Sequence, residues 1–269
     1  MKEAFEAEIV VQEVLKHRSL QPRIGTRKLI VMMQDFVKAH QIGLGRDALF
    51  TLLRQHNLLI RKRTRQKAQT TFSKHWYKKY KNLIHGFEPL TPNLLWVSDI
   101  TYITVADSFA YLSLITDAYS RKVVGFYLSK TLEATGCIRA LQMALNNCND
   151  TSNLIHHSDR GVQYCSHDYV KLLAGRGIQI SMTENGDPLE NAIAERVNGI
   201  LKDELLQQSY NCFEEAQKSV ATSISVYNTL RPHSSCNMLT PQVAHQKTGL
   251  LKKHWKNYYK QKEVSMAAP

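Results

Sequence analysis

His156–Glu204 reads HHSDRGVQYCSHDYVKLLAGRGIQISMTENGDPLENAIAERVNGILKDE. An apolar lead-in, Leu154-Ile155, runs to Asp159, where a strand gives way to a loop before Arg160-Gly161. A second short apolar run, Gln179–Met182, precedes a helical stretch carrying Glu195, with thirty-five residues between the two acids. Far upstream, the strand-like run LLWVSDITYI (residues 94–103) holds a third acid, Asp99.

Each acid alone has an ordinary explanation: a salt-bridged strand aspartate, a turn or cap aspartate, and one member of a solvated helix face. Together they suit a site that holds divalent metal ions against phosphate. Hard cations take carboxylate oxygens, and two such ions flank the attacking and leaving oxygens of an in-line phosphoryl transfer. Strand alternation puts Asp99 on the face opposite Trp96, Ser98 and Ile100. A carboxylate in so apolar a strand is costly unless paired, solvated or metal-bound. In ENAIAERVNGILKDE, Asn191, Glu195, Asn198, Gly199 and Lys202 recur every three or four residues and share a helix face. Ile193, Val197, Ile200 and Leu201 supply the packing, and Lys202, two turns beyond Glu195, is placed for a DNA phosphate.

The segments around these acids predict an α/β order. Leu94–Ile103, Ala110–Thr116 and Val123–Ser129 read as an antiparallel meander, because the breaks at 106–108 and 119–121 are short enough for hairpins. A helix at Leu132–Asn146 follows, then a strand at Leu154–His157, a helix at Asp168–Leu173, a strand at Gln179–Met182 and one long helix over Pro188–Gln207. That order suits an open mixed sheet with helices packed on it, and a further helix covers Phe213–Leu230. The first sixty residues read as three short helices, the second carrying Leu29, Met32, Met33, Phe36 and Val37 and the third carrying Leu49, Leu52 and Leu53. Helix, glycine-bearing turn, helix is compatible with a helix-turn-helix DNA reader, with Arg46 and Arg54 turned to solvent or phosphate. From Arg61 the run RKRTRQKAQTTFSKHWYKKYKN has no acid and interleaves Phe72, Trp76, Tyr77 and Tyr80 with cations, a composition suited to nucleic-acid backbone and bases.

The chain of 269 residues carries a formal net charge of +12, from 35 basic and 23 acidic residues, which favours a polyanionic partner. No apolar run is long enough to span a bilayer, and MKEAFEAEIVVQEVLKH lacks the layout of a signal peptide, so the expected location is the cytoplasm, in association with the nucleoid. Five scattered cysteines without a CxxC pair indicate neither a disulfide framework nor a zinc knuckle. His156 and His157 are adjacent and point to opposite faces of a strand, a poor geometry for one metal.

WVSDITYI around Asp99, DAYSRKVVGF from Asp117, HSDRGVQYCS around Asp159, ENAIAERVNGILKDE around Glu195, YNTLRPHSS from Tyr227 and LTP at Leu239 stand in a fixed order. By these motifs, over about Ile24 to Ala244, the chain resembles bacterial insertion-sequence transposases of the DDE class. It is most similar to the insertion-sequence-three group, within the retroviral-integrase superfamily. Ile24-Gly25 stands where that group has an aromatic-glycine pair, Glu184-Asn185 replaces a basic pair, and no zinc module of two histidines and two cysteines precedes the core.

The resemblance implies an RNase H-like α/β fold, a mixed sheet with flanking helices preceded by a small helical, helix-turn-helix-like domain. The expected divisions are residues 1–62 for the DNA-binding helices, 63–92 for a basic aromatic-containing linker, 93–247 for the catalytic core with its C-terminal helix, and 248–269 for a basic tail. It implies that Asp99, Asp159 and Glu195 are catalytic and hold two Mg²⁺ ions, with Mn²⁺ an alternative, and that Lys202 is the group's basic residue. The expected DNA contacts are Lys202, Arg160, Asn191, Arg46, Arg54, Arg61, Lys62, Arg63, Arg65, Trp76, Lys78 and Lys79. The implied activity is metal-dependent strand cleavage and strand transfer at terminal inverted repeats and target DNA, by a homo-oligomer on DNA. A partner protein from an upstream reading frame is a feature of related elements; without a long leucine heptad here, such a segment is not expected within this chain. Two alternatives stay open: a catalytically inactive repressor derived from a transposase, against which the three acids argue, and an RNase H-type nuclease, which needs no end-specific DNA reader.

Overall fold

The computed structural model describes residues 2–61, 63, 75–184 and 188–255; Lys62, Arg65, Phe72, Asn185 and the end of the basic tail lie outside them. Leu95–Val105 (β1), Ser108–Asp117 (β2) and Val123–Ser129 (β3) form the expected meander, both pairings antiparallel. Ile155–Ser158 (β4) joins the other edge of β1 in parallel, and Gln179–Met182 (β5) continues parallel to β4. The order is β3-β2-β1-β4-β5, with the two-residue Ser209–Tyr210 (β6) added beside the end of β1. The register between β1 and β4 sets Val97 opposite His157, so two steps further along the chain Asp159 leaves β4 beside Asp99.

Helices cover both faces because each strand alternates two sets of apolar side chains. On one face Trp96, Ile100 and Ile115 meet Cys137 and Leu141 of Ala134–Asn146 (labelled α5 in chain order), together with Tyr169 and Leu173 from the helix that follows β4. On the other, Ile103, Leu112 and Leu114 meet Val197, Ile200 and Leu201 and the helix residues Ala216, Val220 and Ile224. The N-terminal unit has its own core of Val10, Val14, Ile24, Leu29, Met33, Leu49 and Leu53. It comprises α1 (Lys2–Leu20), α2 (Thr26–Met32), α3 (Gln34–Ala39) and α4 (Arg46–Gln55), so the second expected helix is broken at Met33. The remaining helices are α6 (Val162–Cys165), α7 (His167–Ala174), α8 (Ala192–Ile200), α9 (Phe213–Thr229) and α10 (Pro241–Ala244).

Gly125 of β3 is where α5 comes closest to the sheet: a Cβ there would lie 2.2 Å from the Ala140 carbonyl oxygen and 2.9 Å from the Ala144 methyl. Only glycine permits that approach.

The expected single helix over 188–207 is three pieces: a 3₁₀ turn at Pro188–Asn191, α8, and a π-helical turn at Leu201–Leu205. The carbonyls that a helix end leaves without partners are taken here by arginines from the N-terminal third. Arg23 donates its backbone N–H to Glu204 O (3.1 Å) and Nε to Asp203 O (3.0 Å), and Arg63 Nη1 donates to Lys202 O (2.6 Å) and Leu206 O (2.9 Å). The stretch after His75 does not hang free either. Met182 N–H donates to Lys81 O (3.3 Å), Leu83 N–H donates to Ser181 Oγ (2.8 Å), and Tyr77 and Tyr80 pack against the sheet core. Among the described residues no helix is long and apolar enough to cross a membrane.

Candidate active site

Asp99 sits mid-strand on β1, on the face that α8 covers. Asn198 Nδ2 donates to its Oδ2 at 2.6 Å and the Ile100 N–H donates to its Oδ1 at 2.9 Å. Burial, then the negative charge of Asp159 and more weakly that of Glu195, push the Asp99 carboxyl up to about 7, against the two hydrogen bonds, which favour the ionised form. Asp159 follows β4 directly, and the Gly161 N–H donates to its Oδ1 at 2.9 Å. Glu195 lies exposed in the first turn of α8, where the positive end of the helix dipole favours a carboxylate. The start of that helix is tied to β1 by buried Asn191, whose Nδ2 donates to Ser98 O at 3.0 Å.

The structure therefore couples the three acids through their charges. In this conformation they are not drawn into one cage: among the described residues no group of three or more His, Cys, Asp and Glu is gathered to hold a metal ion. The chemistry of the donors fits a hard divalent cation, since all three are carboxylates and Asp99, which burial and its neighbours' charges keep protonated up to near neutrality, would have its ionised form favoured by a cation. The adjacent imidazoles are engaged elsewhere. His156 Nε2 meets Ser98 Oγ (2.7 Å) and Tyr169 OH (2.8 Å), His157 Nδ1 meets Ser181 Oγ (2.8 Å), and burial lowers them to about 3 and about 4, so both stay neutral.

Lys202 stands in the π-helical turn with Nζ 3.4 Å from Thr101 Oγ1 and 3.8 Å from the centre of the Tyr102 ring, two and three residues along β1 from Asp99. Arg160 Nη1 donates to Glu184 O (2.8 Å), and its own carbonyl meets His75 Nε2 (2.9 Å). Arg63 is engaged with the helix end described above, whereas Arg54, Arg61, Trp76, Lys78 and Lys79 are exposed. Arg46 is exposed and pairs with Asp47 at 2.8 Å.

Two further residues take part, Asn198 and Gly161. Asn198, the donor to Asp99, stood in the polar stripe of α8, so its spacing from Glu195 was the signal. Gly161 holds Asp159, and a Cβ there would approach Asp159 Oδ1 to 3.0 Å. Another acid within the quoted motifs, Asp117, builds a turn: its Oδ1 accepts from Ser120 N (2.7 Å) and Ser120 Oγ (2.6 Å), its Oδ2 from Asn93 N (2.8 Å), and it is fully buried.

A family model described as integrase core domain matches residues 89–188, and a second of the same description matches residues 176–241. The chain is 35% identical over 228 residues to the insertion element IS600 31 kDa protein of Shigella sonnei, covering 83% of this chain and 81% of that one. It is 33% identical over 192 residues to transposase InsF for insertion sequence IS3A of Escherichia coli (strain K12), covering 68% and 67%. Among solved structures it is similar to a chain of the simian T-cell lymphotropic virus intasome in complex with PP2A regulatory subunit B56 gamma. That match has a TM-score of 0.51 and 18% identity and covers 90% of this chain and 78% of the other, a likeness of fold. The sheet order and the helices on both faces are those of an RNase H-like core.

Proposed function

The chain belongs to the insertion-sequence transposases with an integrase core domain, enzymes of polynucleotidyl transfer, and from that premise we propose that Asp99, Asp159 and Glu195 are its catalytic carboxylates, acting on the ends of its own element. The observation that supports them is the electrostatic convergence on Asp99, whose carboxyl is raised to about 7 by burial and by the charges of the other two.

The three acids would hold two Mg²⁺ ions, or Mn²⁺ in their place. When bound, such ions supply Lewis-acid polarisation and neutralise charge on a phosphodiester. The chain's own residues set the geometry: Asn198 orients the Asp99 carboxylate, Gly161 holds that of Asp159, and Asn191 fixes the start of α8 on β1. In the first step water oxygen bonds to phosphorus and the 3′-oxygen at the element end leaves with a proton. In the second, that 3′-hydroxyl attacks a target phosphodiester, loses its proton, and displaces another 3′-oxygen.

Lys202 and Arg160 contact phosphates next to the bond being cut. The exposed cations Arg46, Arg54, Arg61, Lys78 and Lys79 extend the contact, and the N-terminal helices select the terminal inverted repeats. Joining two element ends to one target calls for a homo-oligomer on DNA, acting at the nucleoid, with a partner from an upstream reading frame sought by co-purification from the intact element.

The test is strand cleavage and joining of labelled DNA bearing the element's ends, with Mg²⁺. Alanine at Asp99, Asp159 or Glu195 is expected to lower cleavage by more than about 1,000-fold while leaving DNA binding largely intact. Full activity in any one of these variants sinks the assignment.

A further inference from the structure

Trp76 is 86% exposed, far more than a large aromatic side chain ordinarily is, yet its ring is held. It stacks on Tyr77 with centroids 4.3 Å apart and planes at 27°. Tyr77 in turn packs against the sheet core, and its edge meets the His75 ring at 5.6 Å. His75 Nε2 is fixed on the Arg160 carbonyl at 2.9 Å, and Arg160 is the residue after Asp159. The indole is thus backed on one face, open on the other, and joined through Tyr77 and His75 to the loop that carries a proposed catalytic acid.

Its surroundings select the occupant. Lys78, Lys79 and Lys81 follow, all exposed, and no acid occurs from His75 to Lys81. Lys78 Nζ lies 5.1 Å over the Tyr80 ring. An aromatic face rimmed by cations matches a nucleobase attached to a phosphate chain, since every base has a π-face and the flanking ammonium groups meet its phosphates. Inside a duplex both faces of each base are already covered, so an open ring can take only a base that is terminal or has left the stack.

We propose that Trp76, backed by Tyr77, is a stacking platform for one unpaired base of the DNA strand that enters the site beside Asp159. The inference rests on the transposase reading of the acidic site, and it adds a subsite that holds a base rather than a phosphate. A strand end gripped there is kept from re-pairing while its phosphodiester is positioned.

Tryptophan fluorescence and affinity are measured on the full chain with two probes at equal charge, an oligothymidylate and inorganic polyphosphate, which lacks bases. Oligothymidylate is expected to quench the wild-type emission. Trp76→Ala is expected to weaken its binding by about 10-fold, with Trp76→Phe restoring most of the affinity and polyphosphate binding equal in all three proteins. Unchanged oligothymidylate affinity in Trp76→Ala overturns the proposal, as does an equal loss for both probes. A change in sedimentation mass of Trp76→Ala without DNA also overturns it, because the ring would then be a contact between copies of the chain. These assays contain no Mg²⁺ and no element ends, so failure of the catalytic reading, seen as absent Mg²⁺-dependent cleavage by the wild type, is a separate result.

Discussion

Glu195 and Glu204 lie on one continuous helical stretch and sit in opposite electrostatic settings. Burial works to raise the Glu204 carboxyl, but the hydrogen bonds and charge of Arg231, with Lys28 adding to them, hold it below the usual carboxylate range. Arg231 Nε and Nη2 each donate to a Glu204 oxygen at 2.8 Å, and Lys28 Nζ stands 3.4 Å from Oε1. At the other end of the stretch, Glu195 adds its charge to an Asp99 already raised by burial and Asp159. One acidic constellation is closed by Arg231 and Lys28, and in the other the charges of Asp159 and Glu195 add to burial in raising Asp99. The difference teaches where a cation from outside is wanted: at the end where Asp99 accepts from the Asn198 side-chain amide and the Ile100 N–H.

The largest expected effect comes from opening the closed constellation. Arg231 is 1% exposed, so Arg231→Ala leaves the half-buried Glu204 with Lys28 alone and a gap where the guanidinium stood, and is expected to destabilise the protein by about 3 kcal/mol, read as a lowered denaturant midpoint. Replacing both partners together with apolar residues of similar size is expected to recover much of that loss.

Neutralising the open constellation has the opposite sign. A carboxyl raised in the fold keeps its proton after the unfolded chain has lost its own. In the metal-free protein the contribution of Asp99 to stability therefore falls as pH climbs from 3.8 to about 7, and stays at the lower level above that. Asp99→Asn removes this slope. Above neutrality, in a chelator, it is expected to be more stable than wild type by about 1 to 3 kcal/mol, and Mg²⁺ is expected to shrink the gap by stabilising the wild type alone. Equal melting temperatures of the two proteins in chelator across this range would show that Asp99 is not under strain.

Smaller again is Asn198→Ala. Its amide favours the ionised Asp99, so its loss raises that carboxyl further, and the acid limb of the cleavage pH profile is expected to move to higher pH. Smallest is Lys28→Met, at about 1 kcal/mol and decreasing with added salt, because the Arg231 fork remains.

Most of the core was legible because its elements follow simple periods. β1 alternates Trp96, Ser98 and Ile100 against Asp99, and that face assignment matches the observed packing of Trp96 and Ile100 on α5 and of Asp99 on α8. The break after Ile200 was not legible, because Val197, Leu201 and Leu205 continue an unbroken helical spacing. Beyond the break, Arg23 and Arg63 take the carbonyls of Asp203, Lys202 and Leu206, contacts that span some 140 to 180 positions. The Glu204 cluster was hidden for the same reason, since it joins α2, the end of the π-helical turn and the chain after α9. The break at Met33 was not legible either, because the apolar stripe from Leu29 to Val37 crosses it without interruption. The acids were legible as a spacing and a set of flanking motifs; the pairing of Asp99 with Asn198 awaited the packing of α8 on β1.

Gly125 and Asp99 show that a position can be indispensable in two unrelated ways. The missing side chain at Gly125 lets α5 lie on β3, so substitutions there deplete the folded protein and every activity falls with its abundance. At Asp99 the side chain is present at the fold's expense, and Asp99→Asn is expected to leave abundance intact or higher while the proposed activity is lost. A survey of variants scored by activity alone would give the two positions the same rank; scored by cellular abundance as well, it would separate the scaffold from the chemistry.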